Sequence, residues 1–155
     1  VAGKQSGKKN LGLMTMTYGY VYVASIAMGA NRKQALNAIL EAEAYDGPSL
    51  IIAYTPCIAH GINMRYSDKE QKKAVECGYW PLYRFNPQWK EEGKAAFSWD
   101  SKEPKGSFQE FIQGERRYTS LARTTSKERA QEMFEAAEKE TKGRMEKIRQ
   151  IGELM

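Results

Sequence analysis

Hydrophobic and polar positions in the first half of the chain follow two different patterns. Residues 20–28 (YVYVASIAM) are almost continuously apolar and rich in Val, Ile and aromatic side chains, which predicts a strand covered on both faces. After Asn31, apolar residues recur every three to four positions, which predicts a helix over residues 32–44 with Asn31 as its N-cap. A second apolar run at residues 49–55 predicts another strand. Strand, helix and strand in this order form a βαβ unit with parallel strands.

The same patterns predict further elements on either side of this unit. They are a short helix capped by Asn10, a helix from about Ser67 to Gly78, a third strand at residues 79–85, a loop at residues 86–106, a helix opened by Ser107 with Glu110, and a last helix opened by Thr125 with Glu128. Pro81 restricts the third strand to a sheet edge or a strand start. The predicted fold class is α/β, the carboxyl-terminal part of a doubly wound, mainly parallel sheet followed by a helical tail. We place the boundary between residues 1–99 and residues 100–155.

Composition narrows the class of protein without identifying it. The chain has 155 residues, of which 41% are hydrophobic and 28% charged, as in a soluble globular domain. Its longest apolar run is interrupted by Gly19 and Ser25 and is too short for a membrane span. The net charge of +5 is spread among mixed signs, so no nucleic-acid partner is expected. Because the chain opens on Val1 without a signal-peptide pattern, we expect a segment of a longer protein.

Two residues carry the candidate chemistry. Cys57 follows the second predicted strand, at the sheet edge where open α/β sheets bind ligands. Composition alone nevertheless favours a buried, inert Cys57, and it favours simple packing for Cys77. His60 is the only histidine, which excludes a multi-histidine metal site, and local hydrogen bonding is favoured over a thiolate partnership with Cys57. The aromatic-rich stretch at residues 18–23 (YGYVYV) is interpreted as core rather than as a base-stacking platform.

Long stretches of the chain resemble the pyruvate:ferredoxin oxidoreductase family. NLGLMTMTYGYVYVASIAMGA (residues 10–30), GPSLIIAYTPCIAHGI (residues 47–62) and CGYWPLYRFNP (residues 77–87) resemble the carboxyl-terminal part of its thiamine-diphosphate-binding domain. DSKEPKGSFQEFIQGERRYTSL (residues 100–121) resembles the segment that follows. The last helix, from about Thr125, matches least well. The resemblance implies a thiamine-diphosphate-binding fold for the α/β part.

The resemblance also implies an activity and a site. The family decarboxylates pyruvate on thiamine diphosphate with Mg²⁺, transfers the acetyl group to coenzyme A, and passes electrons through 4Fe–4S clusters to ferredoxin or flavodoxin. Cys57, in the stretch IAYTPC, corresponds to the fourth thiolate of one cluster, whose other three ligands lie upstream. Thr55 and Asn63 are candidates for hydrogen bonds around that cluster. No catalytic residue is assigned within the chain.

Further expectations follow from this membership. The chain alone should be inactive and hold no cofactor, its main partner being the remainder of the same polypeptide in a cytoplasmic homodimer. One alternative is a related 2-oxoacid oxidoreductase that uses another oxoacid or a fused reductase as electron acceptor. A different class of protein, a stand-alone α/β binding module without redox chemistry, is the other alternative.

Overall fold

The computed structural model describes residues 9–155, so residues 1–8 of the predicted first unit lie outside the described part of the chain. The regular elements are, in chain order, α1 (Leu11–Met16), β1 (Tyr22–Ile26), α2 (Arg32–Ala44), β2 (Ser49–Ala53), α3 (Ser67–Glu76), β3 (Tyr83–Phe85), α4 (Gln88–Glu91), β4 (Phe97–Trp99), α5 (Phe108–Gln113), α6 (Arg116–Thr124) and α7 (Lys127–Glu153). Two single 3₁₀ turns, Ile58–His60 and Met64–Tyr66, lie between β2 and α3. A helix with the length and apolarity of a membrane span is not found among residues 9–155.

The strands form one open, mixed sheet in the order β2-β1-β3-β4. β1 and β2 pair in parallel, with Tyr22 opposite Ser49 and Ile26 opposite Ala53, which confirms the βαβ unit. β3 runs antiparallel to β1, and β4 runs antiparallel to β3. The α/β class, with an open sheet and a long carboxyl-terminal helix, is therefore confirmed.

Both faces of β1 are covered, as its continuous apolar sequence predicts. All five of its residues are buried. One face packs Tyr22, Ala24 and Ile26 against Ala35 and Ala38 of α2. The other face belongs to a cluster that joins the sheet to α1 and α7; its buried members are Met16, Val21, Val23, Tyr83, Phe85, Ala96, Phe97 and Ile148. Helices thus pack on both sides of the sheet, the arrangement of a doubly wound fold.

Three local predictions need correction. The segment at residues 86–106 is not a continuous loop, because it contains α4 and also β4, whose strand structure comes from pairing with β3. Tyr18 and Tyr20 are not core, since they precede β1 and are 64% and 60% exposed. The third strand begins only at Tyr83, after Pro81, which has no backbone N–H to donate.

The carboxyl-terminal helices also differ from the prediction. Ser107 caps α5 as predicted, its hydroxyl accepting from the backbone N–H of Glu110. The helix α6 was not predicted as a separate element, and it ends just before Thr125. The last helix is consequently capped one residue later than expected, by Ser126, whose hydroxyl accepts from the backbone N–H of Arg129.

A charged network that sequence analysis missed ties α2 to the sheet. Arg84 of β3 donates from Nε and Nη2 to the two carboxylate oxygens of Asp100, at 2.7 and 2.9 Å. Its Nη1 pairs with Glu41 of α2, which also accepts a 2.9 Å hydrogen bond from the hydroxyl of Tyr22. Gln34 of α2 donates to Asp100 at 3.0 Å. The guanidinium therefore holds two partly buried carboxylates that would otherwise repel each other.

Candidate functional site

Cys57 lies where the chain leaves the carboxyl end of β2. The backbone N–H of Tyr54 still donates to Ile26 of β1 at 2.9 Å, so the sheet holds the chain one residue beyond the strand. Cys57 then precedes the 3₁₀ turn Ile58–His60, and its carbonyl accepts from the N–H of His60 at 2.9 Å. Its side chain is exposed. The expectation of a buried cysteine from composition is wrong, because the turn carries Cys57 out of the apolar layer.

The second cysteine has the opposite environment. Cys77 follows α3 and is buried among Ala74, Phe108, Phe111 and Ile112, with its thiol 3.5 Å from the carbonyl oxygen of Ala74. Burial raises the pKa of the Cys77 thiol. A buried thiol of raised pKa is a poor metal ligand or nucleophile, so its place in the structure agrees with simple packing.

The other predicted site residues flank Cys57 along the chain and form local hydrogen bonds. The Thr55 hydroxyl donates to the carbonyl of Pro56 at 3.3 Å. The Asn63 side-chain oxygen accepts from the N–H of Arg65 at 3.1 Å, and its residue is exposed. His60 is partly exposed; its backbone N–H donates to the Cys57 carbonyl at 2.9 Å, while its Nδ1 is buried without a hydrogen-bond partner in the described part of the chain.

Cys57 could supply one thiolate to a cluster shared with other parts of a longer polypeptide. Within residues 9–155, no three His, Cys, Asp or Glu side chains lie close enough together to hold a metal ion. Cys57 offers a single exposed thiol, and a 4Fe–4S cluster takes four thiolates. The residues present therefore fit one ligand of a cluster whose other ligands come from elsewhere.

A buried polar cluster lies behind the Cys57 segment. Glu115, the residue before α6, is fully buried at 0% exposure, and its Oε1 accepts a 3.4 Å hydrogen bond from the Tyr54 hydroxyl. Its Oε2 contacts Nε of Arg117 as an ion pair that lacks the alignment of a hydrogen bond. Arg117 in turn donates to the Tyr79 hydroxyl at 3.3 Å. Sequence reasoning missed this cluster, and the only local signal is an acidic residue before two arginines in GERRY.

This environment keeps the Tyr54 hydroxyl protonated. Burial raises the pKa of Tyr54 well above its usual value, and the adjacent negative charge of Glu115 raises it further. The ring of Tyr54 packs against Trp80 and Tyr79, with ring centroids 5.4 and 6.1 Å away. Tyr54 is therefore a fixed hydrogen-bond donor three residues before Cys57.

Comparison with known proteins places the chain as a segment of longer relatives. No family model matches it. Over 151 residues it is 58% identical to pyruvate:ferredoxin oxidoreductase from Moorella thermoacetica, a match that covers 97% of this chain and 13% of that protein. Over 151 residues it is 50% identical to pyruvate-flavodoxin oxidoreductase from Klebsiella pneumoniae, a match that covers 96% of this chain and 13% of that protein. A mitochondrial pyruvate dehydrogenase (NADP⁺) from Euglena gracilis is 47% identical over 129 residues, 82% of this chain and 7% of the relative.

The chain thus spans about an eighth of the length of the first two relatives. The resemblance to pyruvate:ferredoxin oxidoreductase seen in its sequence motifs is confirmed over nearly the whole chain.

Proposed function

We propose, from the homology of this chain to one segment of the pyruvate:ferredoxin oxidoreductases, that it forms part of a longer enzyme of that kind. That enzyme oxidatively decarboxylates pyruvate to acetyl-CoA and CO₂ and reduces ferredoxin or flavodoxin. In this proposal the chain completes the thiamine-diphosphate-binding α/β domain and contributes no catalytic residue. Thiamine diphosphate and Mg²⁺ bind to other parts of the polypeptide, which forms a cytoplasmic homodimer.

The contribution of this chain to the chemistry is the thiolate of Cys57. A 4Fe–4S cluster, when bound, supplies transfer of single electrons. The observation that carries the proposal is the exposed thiol at the carboxyl end of β2, held by a parallel strand pair on one side and a tight turn on the other. Because the Cys77 thiol is buried among apolar side chains, in this proposal the three remaining ligands come from the rest of the polypeptide.

The apolar side chain beside Cys57 has a role in this proposal. Ile58, the next residue, is 77% exposed and can contact another part of the longer enzyme. In the proposal this side chain covers the bound cluster, where apolar neighbours exclude water and influence the reduction potential. Thr55 and Asn63 lie two positions before and six positions after Cys57, and in the proposal their polar groups form hydrogen bonds around the cluster.

An exposed apolar face on α2 supports a larger assembly. Leu36, Ile39 and Leu40 are each at least 40% exposed on this helix, and Met28 is exposed just before it. Exposed apolar side chains gathered on one element are typical of an interface. We assign this face to contacts with the remainder of the polypeptide.

Replacement of Cys57 in the full-length enzyme tests the ligand assignment. Cys57→Ala removes one of four thiolates, so we expect loss of that cluster's electron paramagnetic resonance signal and a matching loss of bound iron. Cys77→Ala is the control and should keep both, because the Cys77 thiol is buried and contacts the carbonyl oxygen of Ala74. An unchanged signal and iron content in Cys57→Ala would contradict the assignment.

The chain by itself tests the claim that it holds no catalytic residue. The 155-residue chain, supplied with pyruvate, coenzyme A, thiamine diphosphate and Mg²⁺, should not reduce ferredoxin. Reduction of ferredoxin by the chain alone would refute this part of the proposal.

A second candidate function differs only in substrate or electron acceptor. The Euglena gracilis relative is named as a pyruvate dehydrogenase (NADP⁺). In this second candidate the electron acceptor is a fused reductase rather than ferredoxin or flavodoxin. Rates of the full-length enzyme with pyruvate and 2-oxoglutarate, and with ferredoxin and NADP⁺, distinguish the candidates. Faster turnover with 2-oxoglutarate or NADP⁺ would support the second candidate over the first.

A further inference from the structure

We propose that Glu115 is a positioning residue that holds the segment carrying Cys57. It binds the chain before Cys57 through Tyr54, while the adjacent Arg116 packs against the chain after Cys57 at Gly61. Only the last step, from an ordered Cys57 thiol to an altered cluster, rests on the proposed function.

The Cys57 segment depends on its ends for its conformation. Cys57, Ile58 and Ala59 are all exposed, so their side chains gain little from packing. The Thr55 hydroxyl bonds only to the next carbonyl along the chain. A short exposed segment of this kind is ordered chiefly by the residues that fix its two ends.

The first fixed end is Tyr54. Its backbone remains in register with β1, and its ring is held between Trp80 and Tyr79. Its hydroxyl reaches Glu115, which lies 61 positions further along the chain. This bond joins the end of β2 directly to the start of α6.

The second fixed end is Gly61, which closes the 3₁₀ turn. Its φ of +75° lies in the left-handed region that favours glycine. A Cβ at Gly61 would lie 3.0 Å from Cβ of Arg116 and 3.3 Å from its Nε, so α6 packs directly against the turn. Consecutive residues at the start of α6 therefore contact both ends of the Cys57 segment.

A buried carboxylate is a costly way to fill this position, which argues for a role in orientation. Burying an unpaired charge is strongly unfavourable, and a well-packed apolar residue is often as stabilising as a buried ion pair or more so. Glu115 is paired with Arg117, whose guanidinium also lies 4.9 Å from the centre of the Tyr118 ring. An apolar residue here could pack, but it could not fix the direction of the Tyr54 hydroxyl.

Tyr54→Phe provides the sharpest test because it removes only the hydroxyl. A hydrogen bond contributes about 0.5–1.5 kcal/mol, and the 3.4 Å distance between Tyr54 and Glu115 places this one near the lower end. We therefore expect about two- to fourfold faster hydrogen exchange at the backbone amides of His60 and Gly61, which are hydrogen-bonded in the 3₁₀ turn, measured by peptide mass spectrometry in the full-length enzyme after removal of its clusters. In the holoenzyme we expect a changed reduction potential and resonance line shape for the cluster bound by Cys57. Tyr118→Phe is the control, since it removes a hydroxyl from the same aromatic cluster and leaves the Tyr54–Glu115 bond in place.

Substitutions of Glu115 test the same hydrogen bond from the acceptor side. Glu115→Gln keeps a side-chain oxygen that can accept from Tyr54, so the amide exchange rates of His60 and Gly61 should remain closer to those of the unmodified enzyme than in Glu115→Ala. In the Tyr54→Phe background the same Gln substitution should add little to these rates, because the bond it affects is already absent.

The two proposals fail in different ways. Equal amide exchange rates at His60 and Gly61 in the Tyr54→Phe and Tyr118→Phe variants would overturn the positioning role, even when Cys57→Ala abolishes the cluster signal. An unchanged cluster signal in Cys57→Ala would overturn the ligand assignment, while the exchange measurement would still decide the positioning role.

Discussion

Substitution of Gly152 by Ala tests how α7 packs on the sheet. Gly152 is buried in the last turn of α7, opposite Phe97 of β4. A Cβ at this position would lie 2.6 Å from three carbons of the Phe97 ring. Ordinary carbon–carbon contacts are about 3.5–4.0 Å, so either the helix or the ring must move by roughly 1 Å. The ring is confined by Tyr83 and Trp99, at centroid distances of 5.7 and 6.4 Å.

The size of the effect follows from two opposing contributions. Overpacking of a close contact costs about 1–3 kcal/mol. Replacing Gly by Ala inside a helix gains up to about 1 kcal/mol from helix propensity, and less in a final turn that frays. We therefore expect Gly152→Ala to lower the free energy of unfolding by roughly 1–2 kcal/mol.

Gly143→Ala in the same helix separates these contributions. A Cβ at Gly143 would meet no atom within 4 Å, so only the propensity gain should remain, and the free energy of unfolding should rise by about 0.5–1 kcal/mol. Urea unfolding followed by tryptophan fluorescence measures both variants. Our account of α7 packing would be refuted if Gly152→Ala stabilised the chain as much as Gly143→Ala does.

Three further predictions concern charge and thiol chemistry. Arg84→Met leaves Glu41 and Asp100 without their shared cation, so it should lower the free energy of unfolding, measured in urea, by roughly 2–3 kcal/mol. A loss below about 0.5 kcal/mol would mean that the network contributes no more than an exposed ion pair. Burial raises the pKa of Asp100, but hydrogen bonds led by that from Arg84 lower it more. The stability that this depressed pKa contributes is present above about pH 4 and is lost as the pH falls through the lower pKa of folded Asp100. Asp100→Asn should therefore make the free energy of unfolding less dependent on pH in acid, and an unchanged pH dependence would contradict this. In the native chain Cys57 should react rapidly with a thiol reagent and Cys77 only after denaturation, and equal rates would contradict the burial of Cys77.

Local sequence signals predicted the elements that form from local interactions. The helix α2 was predicted to the residue, because Asn31 caps it and Asp46-Gly47-Pro48 follows its end. β1 was recognisable because a strand buried on both faces needs apolar residues at every position. β4 was missed because only three residues form it, and its pairing partner β3 lies more than ten positions away.

The candidate site likewise contains one residue that local sequence could locate and one that it could not. Cys57 could be located from the turn after an apolar strand, and its proposed role came from motif resemblance. Glu115 could not be found, because its burial depends on Tyr54, 61 positions away, and on a helix that was not predicted. A charged residue in a polar stretch looks solvated in the sequence, and only tertiary packing removes it from water.

The contacts that matter most for the candidate site connect the α/β part to the helical tail. We predicted a boundary between residues 99 and 100, and that division stays a prediction. Tyr54 bonds to Glu115 across this boundary, and Gly152 packs on Phe97 across it as well. A chain ending at Trp99 would leave the Tyr54 hydroxyl without its acceptor and Phe97 without its covering helix. The ordering of the Cys57 segment therefore requires that the tail fold against the sheet, which makes the tail part of the site rather than an appendage to it.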